Sequence, residues 1–182
     1  MAINISLQPF NQTYLKDIWK AGFTKEHPNW IDYNAPYFDD YIQYPNFIDF
    51  KTSSIADFLL SSDCKAIILD SKAIGMVSKV WINKQTRWLE IGIVIYNSDE
   101  WKQGIGSTSL SLWITNIFKK YLDLEHIGLT TWSGNKGMMH LAQKLNFKKE
   151  GQIRKVRYYD GVYYDSLNYG ILRSEWDNFI QK

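Results

Sequence analysis

A glycine-rich loop between a strand-like run and a helical pattern constrains this fold more than any other feature. After Glu90, residues 91–96 are apolar and rich in β-branched side chains, the composition of a buried strand. The loop 101–108 (Trp-Lys-Gln-Gly-Ile-Gly-Ser-Thr) follows, and apolar residues then recur at helical spacing to residue 118. Two glycines two positions apart permit a tight turn with unshielded N–H groups. The sequence therefore predicts an anion-binding helix N-terminus, although a plain tight turn is also consistent with it.

Two common nucleotide sites do not fit this loop. The pattern G-x-x-x-x-G-K-[ST] is absent, so a Walker-type phosphate loop is not predicted. A Rossmann site needs a third glycine and an acidic residue about 20 positions later, within alternating strands and helices. Here three strands are predicted in succession and the chain ends in a hairpin, so the Rossmann alternative is set aside.

Length and composition indicate an ordinary globular chain. The 182 residues suit one domain, predicted to span 1–182 without repeat, linker or low-complexity tract. The net charge of +2 gives no argument for nucleic acid or a membrane as partner. Cys64 is the single cysteine, which excludes an intrachain disulfide. With no bilayer-length apolar run and no signal-peptide pattern at the N-terminus, we expect a soluble cytoplasmic protein.

Hydrophobic periodicity and turn residues predict the order of elements. Ile3, Ile5 and Leu7 indicate a short first strand, and the hairpin signal Asp160-Gly161 joins the last two. The predicted strands are 65–70, 73–83, 87–96, 126–132, 148–159 and 162–172. The predicted helices are 11–23, 53–61, from the loop to 121, 136–145 and 173–180. The strand at 126 follows a strand–loop–helix unit, so it is predicted to lie parallel to 87–96 through a right-handed crossover.

Several motifs in this order resemble the GNAT superfamily of acetyl-CoA-dependent N-acetyltransferases. The loop is similar to the family's [Arg/Gln]-x-x-Gly-x-[Gly/Ala] motif, except that Trp101 occupies its first position. Such a Trp resembles the RimJ/RimL branch, which is named for acetylation of ribosomal-protein N-termini. Residues 135–151 are similar to that branch's Asn-x-x-[Ser/Met]-x-x-Leu-Ala-x-Lys-Leu-Gly-Phe-x-x-Glu-Gly pattern, and the segments 160–166 and 172–176 resemble its tail.

The resemblance implies an α/β (α+β) GNAT fold: a mixed, mostly antiparallel sheet of about seven strands with a splayed parallel central pair, flanked by helices. It implies acetyl-CoA as co-substrate, with the pyrophosphate on the loop and the pantetheine arm added along the free edge of the third strand. The N–H of Val94 would face the thioester oxygen as it becomes an oxyanion. The implied CoA contacts are Val94, Ile95, Tyr96, Trp101, Lys102, Gln103, Gly104, Ile105, Gly106, Ser107, Thr108 and Asn135.

The catalytic groups are less completely specified. Glu90 lies where several GNAT enzymes carry a general-base glutamate; the alternative is a structural ion pair with Arg87 or Lys79. The Tyr that many relatives use as general acid is replaced by Ala142. Ser133, Tyr158, water or an unassisted thiolate remain open as its substitute. Direct attack in a ternary complex is expected, with Cys64 as a core residue and not a covalent relay.

The acceptor side is predicted from residues 26–50, which hold five acidic residues and no Lys or Arg. An acidic, aromatic wall containing Trp30, Tyr33 and Tyr37 suits a cationic amine. A peptide α-amine, a polyamine and an aminoglycoside all fit. The alternative is that these aromatic side chains fill the core or a homodimer contact.

Two further expectations follow. The three histidines show neither metal-ligand spacing nor a Ser-His-Asp context, so no metal ligand is predicted. A GNAT fold that binds CoA without catalysis, as a module or sensor, remains the alternative to an acetyltransferase.

Overall fold

The computed structural model describes residues 4–181 of the chain. Its strands are β1 Ile5–Gln8, β2 Cys64–Leu69, β3 Lys72–Asn83, β4 Trp88–Ile95, β5 His126–Trp132, β6 Lys148–Tyr159 and β7 Val162–Leu172. Its α-helices are α1 Gln12–Gly22, α2 Phe47–Lys51, α3 Ser54–Leu60, α4 Ile105–Lys120, α5 Lys136–Lys144 and α6 Arg173–Ile180. Short 3₁₀ turns occupy Asn29–Asp32, Pro36–Phe38 and Ser98–Glu100. Every strand and helix predicted from the sequence is present within a few residues of its expected bounds, while Ile3 lies outside the described residues.

Within the described residues the seven strands form one sheet in the order β1-β2-β3-β4-β5-β7-β6. β4 and β5 run parallel, and the pairs β1–β2, β2–β3, β5–β7 and β6–β7 are antiparallel. The β4–β5 register contains only two pairs, Leu89 with Ile127 and Glu90 with Gly128. The mixed sheet and the parallel pair that joins at one end are therefore confirmed.

The chain divides into two compact units. The first contains the described residues up to Asn34, together with Asp40–Ser78 and Ile93–Trp113. Its core joins α1, α3 and the strands around aromatic side chains: Phe23 packs against Trp30, Phe50 and Tyr96 at centroid distances of 4.9 to 5.5 Å. Cys64 is buried in this core, as expected.

The second unit contains Ala35–Asp39, Lys79–Gly92 and the described residues from Ile114 onward. Ile127, Leu129 and Ile171 are buried side chains of its strands, and Ile114 and Trp176 are buried on α4 and α6. The Trp176 indole donates to Thr115 Oγ1 at 3.2 Å, which joins these two helices. Strands with one apolar and one polar face thus leave a polar sheet face in this unit.

Helix α2 was not predicted from the sequence. It has five residues, too few for a periodic pattern, and depends on its cap and on packing. The Asn46 side chain accepts a hydrogen bond from the Asp49 N–H at 3.0 Å, and Phe50 is buried in the core. Among residues 4–181, no helix combines the length and apolarity needed to cross a membrane.

Candidate functional site

The loop before α4 has the backbone of an anion cradle. Lys102 and Gly104 adopt positive φ angles of 64° and 82°, which turn the chain sharply into the helix. The Gly104 carbonyl accepts the Ser107 hydroxyl at 2.8 Å and the Thr108 N–H at 3.1 Å. The earlier N–H groups of a helix have no acceptor within it, and no acidic residue lies in this first turn. A Cβ placed at Gly104 would meet no atom within 4 Å, so the cradle faces open space.

Trp101 ties this loop to the end of β4. Its indole N–H donates to the Ile95 carbonyl at 2.9 Å, and its ring meets the edge of Tyr33 at 5.3 Å. Its backbone N–H donates to Ser98 at 3.1 Å. The residue that departs from the family motif therefore positions the loop.

Some backbone groups at the end of β4 already have partners in the first unit. The Tyr96 N–H donates to the Ile74 carbonyl at 3.0 Å, and the Ile95 carbonyl already accepts Trp101. A Cβ at Gly75 would overlap the Val94 carbonyl oxygen, which shows how closely β3 and β4 approach here. Burial, and secondly Cys64, raise the pKa of the Tyr96 phenol well above its ordinary value, so that phenol is neutral. The Val94 N–H at the thioester stays a prediction.

In the second unit Glu90 belongs to a hydrogen-bonded chain of side chains. The Asn168 amide donates to Thr130 Oγ1 at 2.9 Å, and Thr130 Oγ1 donates to Glu90 Oε1 at 3.1 Å. The alternative expectation was an ion pair of Glu90 with Arg87 or Lys79; Arg87 instead binds Asp123 at 3.0 Å. Glu90 is therefore oriented on the polar sheet face by strands β5 and β7.

A second pair on this face was missed by the sequence reasoning. His126 Nε2 lies 2.9 and 3.2 Å from the two carboxylate oxygens of Glu150. A Cβ at Gly128 would come within 3.2 Å of Glu90 Cγ and 3.3 Å of His126 Cε1, so both side chains cover this glycine. Glu150 is 24 positions from His126, and only the strand order β5-β7-β6 brings them together.

Aromatic side chains gather at the end of β5. Trp132 meets Tyr164 at 4.7 Å and Tyr37 at 5.6 Å between ring centroids, both edge-on. The Arg157 guanidinium carbon lies 4.9 Å from the Tyr37 ring centroid and 5.6 Å from that of Phe38. This cluster, Tyr37, Phe38, Trp132, Arg157 and Tyr164, is called the β5-end cluster below.

Asp165 fixes the β-bulge that places Arg157. The β6–β7 register shifts between Ile153 and Arg157, and Lys155 there has a φ of 55°. Asp165 Oδ1 accepts the Lys155 N–H at 2.9 Å, and Oδ2 accepts the Gln152 amide at 2.5 Å. These two hydrogen bonds, in that order, lower the pKa of the Asp165 carboxyl.

The predicted acceptor residues fall into different parts of the structure. Trp30 is buried, and its indole donates to Gly22 at 2.9 Å, so it supports the core. Tyr33 is exposed and contacts Trp101 in the first unit, whereas Tyr37 belongs to the β5-end cluster. Asp32, predicted as part of an acidic wall, binds His27 at 2.9 Å. The continuous acidic and aromatic stretch of the sequence is thus divided between core, loop and cluster.

The structure also places four further predicted positions: Asn135, Ala142, Ser133 and Tyr158. The Asn135 side chain caps α5 by accepting the Met138 N–H at 2.9 Å. Ala142 is fully buried, and the Ser133 hydroxyl accepts the Asp165 N–H at 2.9 Å. Tyr158 is more than half exposed beside Tyr163. The surroundings of these residues do not identify a general acid.

Comparison with known sequences finds a family model. The model described as "Acetyltransferase (GNAT) domain" matches residues 11–148. The chain is 26% identical over 113 residues to the "SPbeta prophage-derived uncharacterized N-acetyltransferase YokL" of Bacillus subtilis, covering 62% of each chain. It is 28% identical over 111 residues to the "Putative ribosomal N-acetyltransferase YdaF" of Bacillus subtilis, covering 61% of this chain and 60% of the relative. The matches thus span about three fifths of these curated relatives.

Solved structures share the fold at low sequence identity. A GCN5-related N-acetyltransferase from Brucella melitensis superposes with a TM-score of 0.76 at 17% identity, covering 100% of this chain and 81% of that one. A spermidine N-acetyltransferase from Vibrio cholerae, solved with CoA and spermine, gives 0.71 at 20% identity, covering 96% and 98%. At these identities the likeness establishes the fold alone.

Proposed function

Because the chain belongs to the GNAT acetyltransferase family, we propose that it transfers an acetyl group from acetyl-CoA to a primary amine by direct attack in a ternary complex. The observation that carries this proposal is the cradle of residues 101–108. Its first-turn N–H groups, its lack of acidic residues and the open space at Gly104 fit a pyrophosphate.

The residues that fit CoA have distinct tasks. The N–H groups from Gln103 to Ser107 would hold the pyrophosphate, while Trp101 keeps the loop against β4. When bound, acetyl-CoA supplies the thioester whose carbonyl the amine attacks. Asn135 as a contact of the CoA arm is supported only by the family resemblance.

Glu90 is proposed as the general base. An ammonium group must lose a proton before it can attack, and a positioned carboxylate can accept that proton directly or through water. The hydrogen bond from Thr130, itself held by Asn168, fixes the carboxylate on the polar sheet face. Thr130 and Asn168 are therefore positioning residues.

The acceptor is proposed to be the α-amine of a peptide or protein, in the manner of the RimJ/RimL branch, and the reaction to be cytoplasmic. Support comes from the Trp at position 101 and from similarity to the relative named "Putative ribosomal N-acetyltransferase YdaF". A polyamine is the competing acceptor, suggested by the spermidine N-acetyltransferase neighbour.

Two glycines give a matched test of the CoA site. Gly104 and Gly161 have φ angles of 82° and 76°, and an added Cβ at either meets no atom within 4 Å. Gly104→Asp and Gly161→Asp therefore add the same charge and similar backbone strain, but only Gly104→Asp places a carboxylate at the cradle. We expect Gly104→Asp to abolish CoA binding by calorimetry while Gly161→Asp retains it. Equal CoA affinity in both variants would refute the assignment.

A non-catalytic CoA-binding module remains the second candidate, because the buried Ala142 replaces the usual acid. Thiol release from acetyl-CoA over a panel of peptide N-termini, polyamines and aminoglycosides separates the two. CoA binding without thiol release for any amine would favour the module.

A further inference from the structure

Arg157 is a cation without a hydrogen-bonding partner in the part of the chain that the structure describes. Its Nε is buried and makes no hydrogen bond, and no carboxylate of residues 4–181 forms an ion pair with it. Its contacts are the faces of Tyr37 and Phe38. A guanidinium packed over aromatic rings keeps N–H donors for another group, because the rings offer it no hydrogen-bond acceptor in its plane. This arrangement favours an anion that the protein itself does not supply.

The sheet register places Arg157 on the same face as the proposed general base. Arg157 is opposite Tyr164, Thr130 is opposite Asn168, and Trp132 is opposite Ser166. Directly opposed residues point to one face, and side chains two apart share it. The Tyr164–Trp132 contact and the Thr130–Glu90 hydrogen bond join these positions into one row. The row runs from Glu90, hydrogen-bonded to Thr130, to Arg157, which is opposite Tyr164 on β7.

We propose that Arg157 determines acceptor specificity by binding a carboxylate of the acceptor, and that the preferred acceptor is a peptide with an acidic residue about four positions after its free N-terminal residue. This inference rests on the proposed acetyl transfer and names its substrate class. On β7, Asn168 is opposite Thr130 and Tyr164 is opposite Arg157. These two β7 positions are four residues apart, about 13 Å along the strand, and β6 lies two strands, about 10 Å, from β5. The resulting separation of about 16 Å exceeds that of amine and carboxylate in a free α-amino acid. It suits an acidic side chain about four residues after the α-amine, at about 3.5 Å per extended residue.

The charges of Glu90 and Arg157 fit a peptide bound with its free amine at Glu90 and its acidic residue at Arg157. The carboxylate of Glu90 faces the ammonium end of the acceptor, and the guanidinium of Arg157 faces its acidic end. A polyamine carries cations along its whole length, so one of them would meet Arg157. Of the acidic residues predicted to form a cationic-amine wall, Asp32 is bound to His27 and Asp49 accepts the Asn46 amide.

The test compares peptide pairs that differ only in charge. Each pair has one sequence with Asp or Glu at the fourth, fifth or sixth position and a twin with Asn or Gln there, and spermidine is a third acceptor. We expect the wild type to favour the acidic member by about 10- to 100-fold in kcat/KM, the range for one charge-assisted hydrogen bond. Arg157→Gln should remove that preference while leaving the neutral twin nearly unchanged.

Arg154→Gln is the matched control. Arg154 lies on the same strand and is exposed, and its substitution removes the same charge without touching the aromatic rings. It should retain the preference, and Arg157→Lys should retain part of it. If Arg157 only supported the Tyr37 segment, Arg157→Gln would slow both twins equally, and that result would overturn the inference.

Binding of the same peptides, measured by calorimetry with CoA present, keeps the test independent of turnover. Thiol release from neutral peptides without a charge preference would overturn this inference and leave the proposed function intact. Absence of thiol release with every amine would overturn the proposed function, and the affinities of the twins would still decide whether Arg157 reads a carboxylate.

Discussion

The indole N–H of Trp101 donates a hydrogen bond of 2.9 Å to the carbonyl of Ile95. The bond joins the first residue of the glycine loop to the last residue of β4. It also explains how the chain departs from the family motif at this position without losing the loop geometry. An indole reaches the strand and packs on Tyr33, so loop position depends on one side chain.

Trp101→Phe should weaken acetyl-CoA binding. The substitution keeps an aromatic ring beside Tyr33 but removes the donor to Ile95, a loss of about 1 kcal/mol. We expect KM for acetyl-CoA to rise about 5-fold with little change in kcat, measured by thiol release. Trp113→Phe is the control, because its indole donates to Ser78 at 2.9 Å within the same unit. It should lower stability and leave KM unchanged; a similar KM rise in both would contradict the role of Trp101.

Glu90→Gln should lower kcat by about 10²- to 10⁴-fold, the usual contribution of a general base, and remove the acidic limb of the pH–rate profile. Thr130→Val removes the donor to Glu90 and should lower kcat less, without changing KM for acetyl-CoA. Thr131→Val is the control, since Thr131 is buried and its side chain points to the opposite face of β5. A wild-type profile in Glu90→Gln would exclude it as the base.

Asp165 should make stability depend on acid pH. Hydrogen bonds from Lys155 and Gln152 lower the pKa of its carboxyl in the folded chain. The unfolded chain therefore binds a proton first as pH falls below the ordinary value of about 4. The contribution of Asp165 is complete above that pH and is lost as pH falls through the lower folded value. Urea unfolding should show Asp165→Asn less stable than wild type at pH 7, with the gap narrowing at low pH.

Asp160→Asn provides the comparison for this measurement. Asp160 lies in the turn of the same hairpin, with a φ of 46° that Asn tolerates. Its carboxylate accepts no hydrogen bond within residues 4–181, so its substitution should not change the pH dependence. The same narrowing in Asp160→Asn would show that net charge, and not the bulge, causes the effect.

Arg173 should contribute to stability and not to activity. Its guanidinium donates to the carbonyls of Leu124, Phe118 and Tyr121 at 2.9, 3.1 and 2.5 Å, which caps the end of α4. A lysine ammonium cannot make these three hydrogen bonds at once. Arg173→Lys should therefore lower the free energy of unfolding by about 2 to 3 kcal/mol. Calorimetry should show a Tm lower by about 4 to 12 °C with unchanged KM.

Arg87→Lys is the control for Arg173, because the exposed pair of Arg87 with Asp123 contributes at most about 1 kcal/mol. Equal Tm shifts in the two variants would show that the three carbonyl hydrogen bonds do not stabilise the helix end.

Local features made the element order predictable from the sequence. The strands and longer helices carry their own periodicity, and Asp160-Gly161 is by itself a turn signal. The five-residue α2 has no such pattern, and its cap and its contact with the core are needed to explain it.

For the site, the sequence by itself determined the cradle, since a strand, a Gly-x-Gly loop and a helix N-terminus are consecutive. Only the tertiary structure decided which side chains meet on the polar sheet face. The meeting of Thr130 with Glu90, of His126 with Glu150, and of Arg157 with Tyr37 depends on strand order and on a bulge. Such contacts join residues 24 to 120 positions apart. Local periodicity carries no information about them, because strand pairing is chosen by the packing of the whole sheet.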